Sequence, residues 1–156
     1  MKEQLIEWAN AGDDDCMYKL AKIYQAEGDF EKSLDYLKKS AETKNFFAMK
    51  ELADHFCATE DLTAARKLYR EIVEIFGDTD SMEKLIEISQ DNSETLKFVL
   101  KVIDSRYNEI YIRDYQILRR IFELGTRRHN EYTIQTLQAI ERRRIASRVR
   151  KLLSGN

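Results

Sequence analysis

Apolar residues recur along this chain at a helical period, and one arrangement of them returns 32 residues later. Met17, Leu20, Ala21 and Tyr24 fall on one face of a helix with 3.6 residues per turn. Gly28 and Asp29 interrupt the pattern, since glycine accepts the positive φ that ends many helices. Phe30, Leu34, Leu37 and Ala41 then share one face of a second helix, with Lys38 and Lys39 outside it. In the second copy Leu52, Ala53 and Phe56 stand for Leu20, Ala21 and Tyr24. Asp61, Ala65 and Tyr69 stand for Asp29, Ser33 and Leu37. A repeat of this length predicts helical hairpins that stack on one another.

The same reading extends in both directions. Before the first hairpin, Lys2 to Ala11 predicts a short amphipathic helix with Leu5, Ile6, Trp8 and Ala9. Gly12 ends it, and Asp13 or Asp14 is placed to cap the next helix. The second hairpin runs from about Phe46 to Phe76 and is closed by Gly77. A third is predicted from Met82, Leu85, Ile86 and Ile88, the turn Asp91-Asn92-Ser93, and a nearly all-apolar helix with Leu96, Phe98, Val99, Leu100, Val102 and Ile103. After Arg106 the repeat is lost. Ile110 to Leu124 predicts a long helix stopped by Gly125, and Asn130 caps a last helix through Ile134, Leu137, Ile140, Ile145, Val149 and Leu152.

Composition agrees with helix throughout. The 156 residues contain no proline, are 43% hydrophobic and 35% charged, which supports a packed core and argues against long disorder. The net charge of −2 conceals a split: residues 1–106 hold 15 Lys and Arg against 23 Asp and Glu, and residues 107–156 hold 11 against 5. The halves therefore balance at −8 and +6. Cys16 and Cys57 form no disulfide framework or metal spacing, and two free thiols in a reducing compartment are expected. The start, Met1-Lys2-Glu3-Gln4, opens no signal-peptide run, and no stretch approaches the roughly 20 apolar residues of a spanning helix. A cytoplasmic protein with no transmembrane segment is the expectation.

The first two hairpins resemble tetratricopeptide repeats. That family has a Leu-small pair and an aromatic in its first helix, Gly-Asp-aromatic at its turn, and small residues in its second helix. Here these are Leu20, Ala21, Tyr24, Gly28, Asp29, Phe30 and Ser33, then Leu52, Ala53, Phe56, Asp61, Leu62 and Ala65. The segments Trp8-Ala9-Asn10-Ala11-Gly12-Asp13 and Tyr36 to Glu42 are similar to the Sel-like relatives of the family. The proline that usually closes a tetratricopeptide unit is replaced by Asn45. The likeness covers about residues 4–76 well, 79–105 loosely and 107–156 not at all. It implies an all-α protein of stacked antiparallel hairpins, a short right-handed solenoid. Residues 1–106 would form the repeats, and residues 107–156 a basic helical pair packed on them as a C-terminal cap.

Catalytic chemistry is hard to assemble from this sequence. His55 and Cys57 are two residues apart and point to different faces of a helix, so they cannot converge on one atom. Asp13, Asp14 and Asp15 read as helix-capping carboxylates at a positive helix end, because a calcium loop needs further ligands and a glycine at set spacing. No phosphate loop, nucleophile elbow or zinc helix motif occurs. No catalytic residue, metal or cofactor is therefore expected, and the protein is read as non-enzymatic.

What the resemblance implies is a scaffold that holds a peptide or protein segment, as an adaptor, chaperone or inhibitor. In that family the first helix of each hairpin lines a concave groove. The groove positions are then Tyr18, Lys22 and Gln25, Phe47, Lys50 and Asp54, and Glu83 and Glu87. The alternative is a nucleic-acid-associated protein acting through the basic last helix, where Arg142, Arg143, Arg144 and Arg148 could meet phosphates. Few aromatics interleave those arginines, which argues against stacking on single strands.

Overall fold

The computed structural model of the chain describes residues 2–89 and 93–105, with Gln135, Gln138, Ala139 and Arg142 at isolated positions. It forms α1 (Lys2–Asn10), α2 (Asp14–Ala26), α3 (Phe30–Glu42), α4 (Phe46–Ala58), α5 (Leu62–Phe76), α6 (Thr79–Ile88) and α7 (Ser93–Ser105). No strand occurs among the described residues. Two compact units divide the chain, Met1–Phe76 and Gly77–Asn156. The helical pair expected over residues 107–156 lies outside the described residues, apart from the isolated positions named above.

In the first unit each helix packs on the next one in sequence, α1 on α2 through to α4 on α5. The joints explain why. Gly12 and Gly28 carry φ of 98° and 80°, and Lys44 and Glu60 hold the same left-handed conformation at 69° and 63°. With Gly77, the left-handed residues fall at 12, 28, 44, 60 and 77, sixteen residues apart for the first four and seventeen for the last. After Gly28, the bond from Asp29 N–H to the Tyr24 carbonyl is 2.9 Å and that from Gly28 N–H to Gln25 is 3.2 Å, which satisfies two orphan carbonyls. Asp13 and Asn45 follow left-handed residues with the same pair of bonds.

An Asp or Asn comes directly after each left-handed residue and caps the next helix. Asp13 Oδ1 accepts from Cys16 N–H at 2.8 Å, Asp29 Oδ1 from Lys32 at 3.2 Å, Asn45 Oδ1 from Ala48 at 3.1 Å, and Asp61 Oδ1 from Ala64 at 3.1 Å. Of the three adjacent aspartates, only Asp13 is the cap. Asp14 and Asp15 instead accept from the Asn45 side-chain amide, each at 3.0 Å. These two carboxylates therefore tie the first hairpin to the start of the second.

The core lies where the repeat placed it. Leu20, Ala21, Leu37, Ala41, Ala48, Met49, Leu52, Ala53, Ala65, Tyr69, Ile72 and Val73 are all buried. The alanines let backbones approach closely. Phe30 departs from the expected pattern: it is 69% exposed and does not join Leu37 and Ala41 in the core. It is the first residue of α3, and the chain has just left its turn there. Cys16 is a buried free thiol and Cys57 a half-buried one. In the second unit, Met82, Leu85 and Ile86 of α6 and Leu96, Val99, Leu100 and Ile103 of α7 are buried, and the two helices pack together.

Candidate functional site

The first helices α2 and α4 meet through side chains. The Tyr18 ring of α2 stacks on Phe47 of α4, with centroids 6.0 Å apart and planes 26° from parallel. Tyr18 Oη donates to Glu51 Oε1 at 2.6 Å. Lys22, one turn on from Tyr18, places Nζ 3.1 Å from both oxygens of the same carboxylate. Tyr18, Lys22, Phe47 and Glu51 thus form one cluster across two hairpins. Residues four apart on a helix share a face, so Tyr18 with Lys22 and Phe47 with Glu51 project together. Burial and the Glu51 carboxylate push the Tyr18 hydroxyl up to about 12, so at neutral pH it remains a donor.

From Phe47 the aromatic surface continues away from α2. Phe46 meets Phe47 edge to face at 5.3 Å, and Phe76 at the end of α5 meets Phe46 at 5.1 Å. The Lys50 ammonium lies 5.6 Å from the Phe46 ring centroid. Such edge-to-face pairs are favoured by the ring quadrupole. Phe47 is nevertheless 60% exposed. A ridge of four rings therefore runs along this surface, flanked by the Lys22–Glu51 ion pair.

The expected groove residues divide into groups. Tyr18, Lys22, Phe47 and Lys50 are brought to this ridge. Gln25 is exposed farther along α2. Asp54 is exposed but accepts a hydrogen bond from the Tyr69 hydroxyl of α5. Tyr69 is fully buried, and burial together with Asp54 and Cys57 holds its hydroxyl well above the ordinary range. Asp54 thus satisfies a buried tyrosine. Glu83 and Glu87 belong to α6 of the second unit, Glu83 half-buried and Glu87 exposed beside Lys84 at 3.6 Å. Of the basic set, Arg142 is an exposed helical residue, while Arg143, Arg144 and Arg148 lie outside the described residues.

Sequence reasoning missed Glu51, Phe46 and Phe76. The signal for Glu51 was its place four residues after Phe47, and nothing local marked it as the meeting point of Tyr18 and Lys22. Among the described residues no group of three or more His, Cys, Asp or Glu is arranged to hold a metal ion. The His55 ring lies beside Phe56 at 6.1 Å, whereas Cys57 bears on Tyr69. No helix among the described residues is long and apolar enough to cross a membrane. No family model matches the chain, and no curated protein and no solved structure matches it either. What stands, among the described residues, is an all-helical arrangement of stacked helix pairs with an aromatic ridge formed by α2, α4 and the end of α5.

Proposed function

We propose that this protein is a non-enzymatic interaction scaffold of tetratricopeptide-like or Sel-like kind, stacked right-handedly, that holds a peptide or protein segment on the face of its first helices. The observation that carries the reading is the Tyr18–Phe47 pair. One aromatic is anchored by Glu51, and the other offers most of its ring to solvent. Aromatic residues held rigidly at a surface supply large contact area with little ordering entropy, and Tyr is enriched among the residues that dominate binding energy. The segment held would bring an apolar anchor to the Phe47 ring. The nearby Lys22–Glu51 pair and Lys50 would form the polar rim. The work would be done in the cytoplasm by an adaptor, a chaperone or an inhibitor of the bound protein.

Affinity purification with mass spectrometry supplies the partner. Against it, Tyr18→Ala combined with Phe47→Ala should weaken binding by at least about 2 kcal/mol, with helical circular dichroism retained. Unchanged affinity in the double variant would remove this face from the account.

A further inference from the structure

Contacts fix how the middle helices run. Ser33 meets Ala21 and Ser40 meets Asp14, so α3 is antiparallel to α2. Tyr69 meets Asp54 and Phe76 meets Phe46, so α5 is antiparallel to α4. Tyr18 meets Phe47 and Lys22 meets Glu51, so α2 and α4 run the same way. One end of the first unit therefore collects the ends of α2 and α4 with the starts of α3 and α5. Each second helix opens there on an exposed apolar residue, Phe30 in α3 and Leu62 in α5, 69% and 38% exposed. They stand one repeat of 32 residues apart, on one edge of the stack. The ridge lies toward the opposite end, where Phe46 and Phe47 open α4 and Phe76 closes α5.

The charge on this edge has one sign. Glu27 pairs with Lys2, and Asp29 with Lys32. Glu31, directly after Phe30, and Glu60, two before Leu62, are exposed, and their carboxylates have no hydrogen bond or ion pair among the described residues. Asp61 caps the Ala64 N–H and has no ion pair among the described residues. Arg66 gives its Nε–H to the Leu62 carbonyl at 3.1 Å, so three carboxylates stand against one guanidinium. Two helix ends and two helix starts meet here, so their dipoles offset and the side chains set the sign. Glu60 also sits at φ 63°, where the first turn has Gly28. A glutamate is strained in that conformation. Lys44, held likewise, pairs with Glu71. Glu60 makes no such pair among the described residues, and strain without an internal partner points to a contact made outside the chain.

We propose that this turn edge docks a basic, apolar-anchored segment of a partner protein, with apolar side chains seated on Phe30 and Leu62 and lysines or arginines beside Glu31, Glu60 and Asp61. An exposed aromatic ringed by charge has the anatomy of a binding anchor with a polar rim. The sign of the edge repels a nucleic acid or an anionic membrane, and two copies of the chain meeting through it would set carboxylate against carboxylate. The surface is separate from the Tyr18–Phe47 ridge.

The probe is a synthetic peptide of two Arg-Leu-Arg triplets joined by a flexible Gly-Ser linker, titrated into the full chain by calorimetry. Saturable binding that weakens as salt is raised is expected. Phe30→Ala should bind at least about tenfold more weakly, with helical circular dichroism retained. Glu60→Gly separates binding from stability. It should bind about two- to fivefold more weakly, yet unfold at no lower urea concentration than the unaltered chain. A peptide with glutamates in place of its arginines should bind the Glu31→Lys, Glu60→Lys double variant better than it binds the unaltered chain. Saturation absent at millimolar peptide, affinity unmoved by Phe30→Ala, or equal affinity for the glutamate peptide would each overturn the proposal. So would a concentration-dependent dimer lost in Phe30→Ala, which makes a second copy the occupant. Tyr18→Ala with Phe47→Ala should leave this binding unchanged, and a tenfold loss there would place the peptide on the ridge instead.

Discussion

The two hairpins of the first unit put different chemistry into one register. In α3, two serine hydroxyls reach back to carbonyls of α2. At the same places in α5 stand Ala65 and Ile72, which simply pack. Leu37 of the first hairpin becomes Tyr69 in the second, and its added hydroxyl is met by Asp54. Gly28 at the first turn becomes Glu60 at the second, held in the same left-handed conformation. The comparison teaches that the position decides what must be buried. How the buried group is satisfied, by packing or by a hydrogen bond, is free to vary.

The largest test asks whether the hairpins are energetically equivalent. Leu20→Ala and Leu52→Ala remove matching core side chains, and each should cost roughly 2–5 kcal/mol, read as midpoint shifts in urea denaturation. A loss below about 1 kcal/mol at one site only would break the equivalence. Next comes the seam between hairpins against the turn within one. Asn45→Ala removes a cap and two hydrogen bonds to carboxylates, and should cost about 2 kcal/mol. Asp61→Ala removes only an exposed cap and should cost about 1 kcal/mol.

Exchanging the turn residues should move stability in opposite directions. Gly28→Glu forces a side chain into positive φ at a cost of about 1 kcal/mol, although a Cβ there meets nothing within 4 Å. Glu60→Gly relieves the same strain, less the added freedom of the unfolded chain, for a gain of a few tenths to about 1 kcal/mol. Equal signs would show that the two turns are not the same structure. The smallest effect is alkaline. Burial and a neighbouring carboxylate make the hydroxyls of Tyr18 and Tyr69 both ionise above the ordinary tyrosine range, Tyr18 at about 12. Their stabilisation is complete below pH 10 and falls as pH rises above it, through about 12 for Tyr18 and at still higher pH for Tyr69. Tyr18→Phe should flatten that decline at the ridge, and Tyr69→Phe should flatten it in the core.

Much of this was legible because it is periodic. The helices, their turns and the pairs Leu20-Ala21 and Leu52-Ala53 follow from spacing alone, and burial follows from spacing in a stack. The ridge was half legible. Tyr18, Lys22, Phe47 and Lys50 were reached through the register of the first helices. Glu51 was not, since its partners are 33 and 29 residues away and no local pattern joins them. Phe76 ends α5, yet it meets Phe46 at the start of α4, a contact that antiparallel packing makes and sequence distance hides. Asp54 looked like a groove residue because exposure on a first helix was all that spacing could say. Its bond to Tyr69 depends on the second hairpin carrying a hydroxyl where the first has a methyl group.

Nearest-neighbour packing from α1 to α5 also bears on how the chain is made. Each of α1 to α4 finds a contact within the next sixteen or so residues to be synthesised, so few long loops must close and folding should be fast. At about 5–20 residues per second a ribosome releases one such element every second or few. Each helix then waits only briefly for its cover, and the Leu20 cluster is closed by Tyr36 of α3 long before translation reaches the basic tail. Trp8 is the exception on this timetable, since no helix translated later in the described part of the chain covers it to the extent that Ile72 is covered.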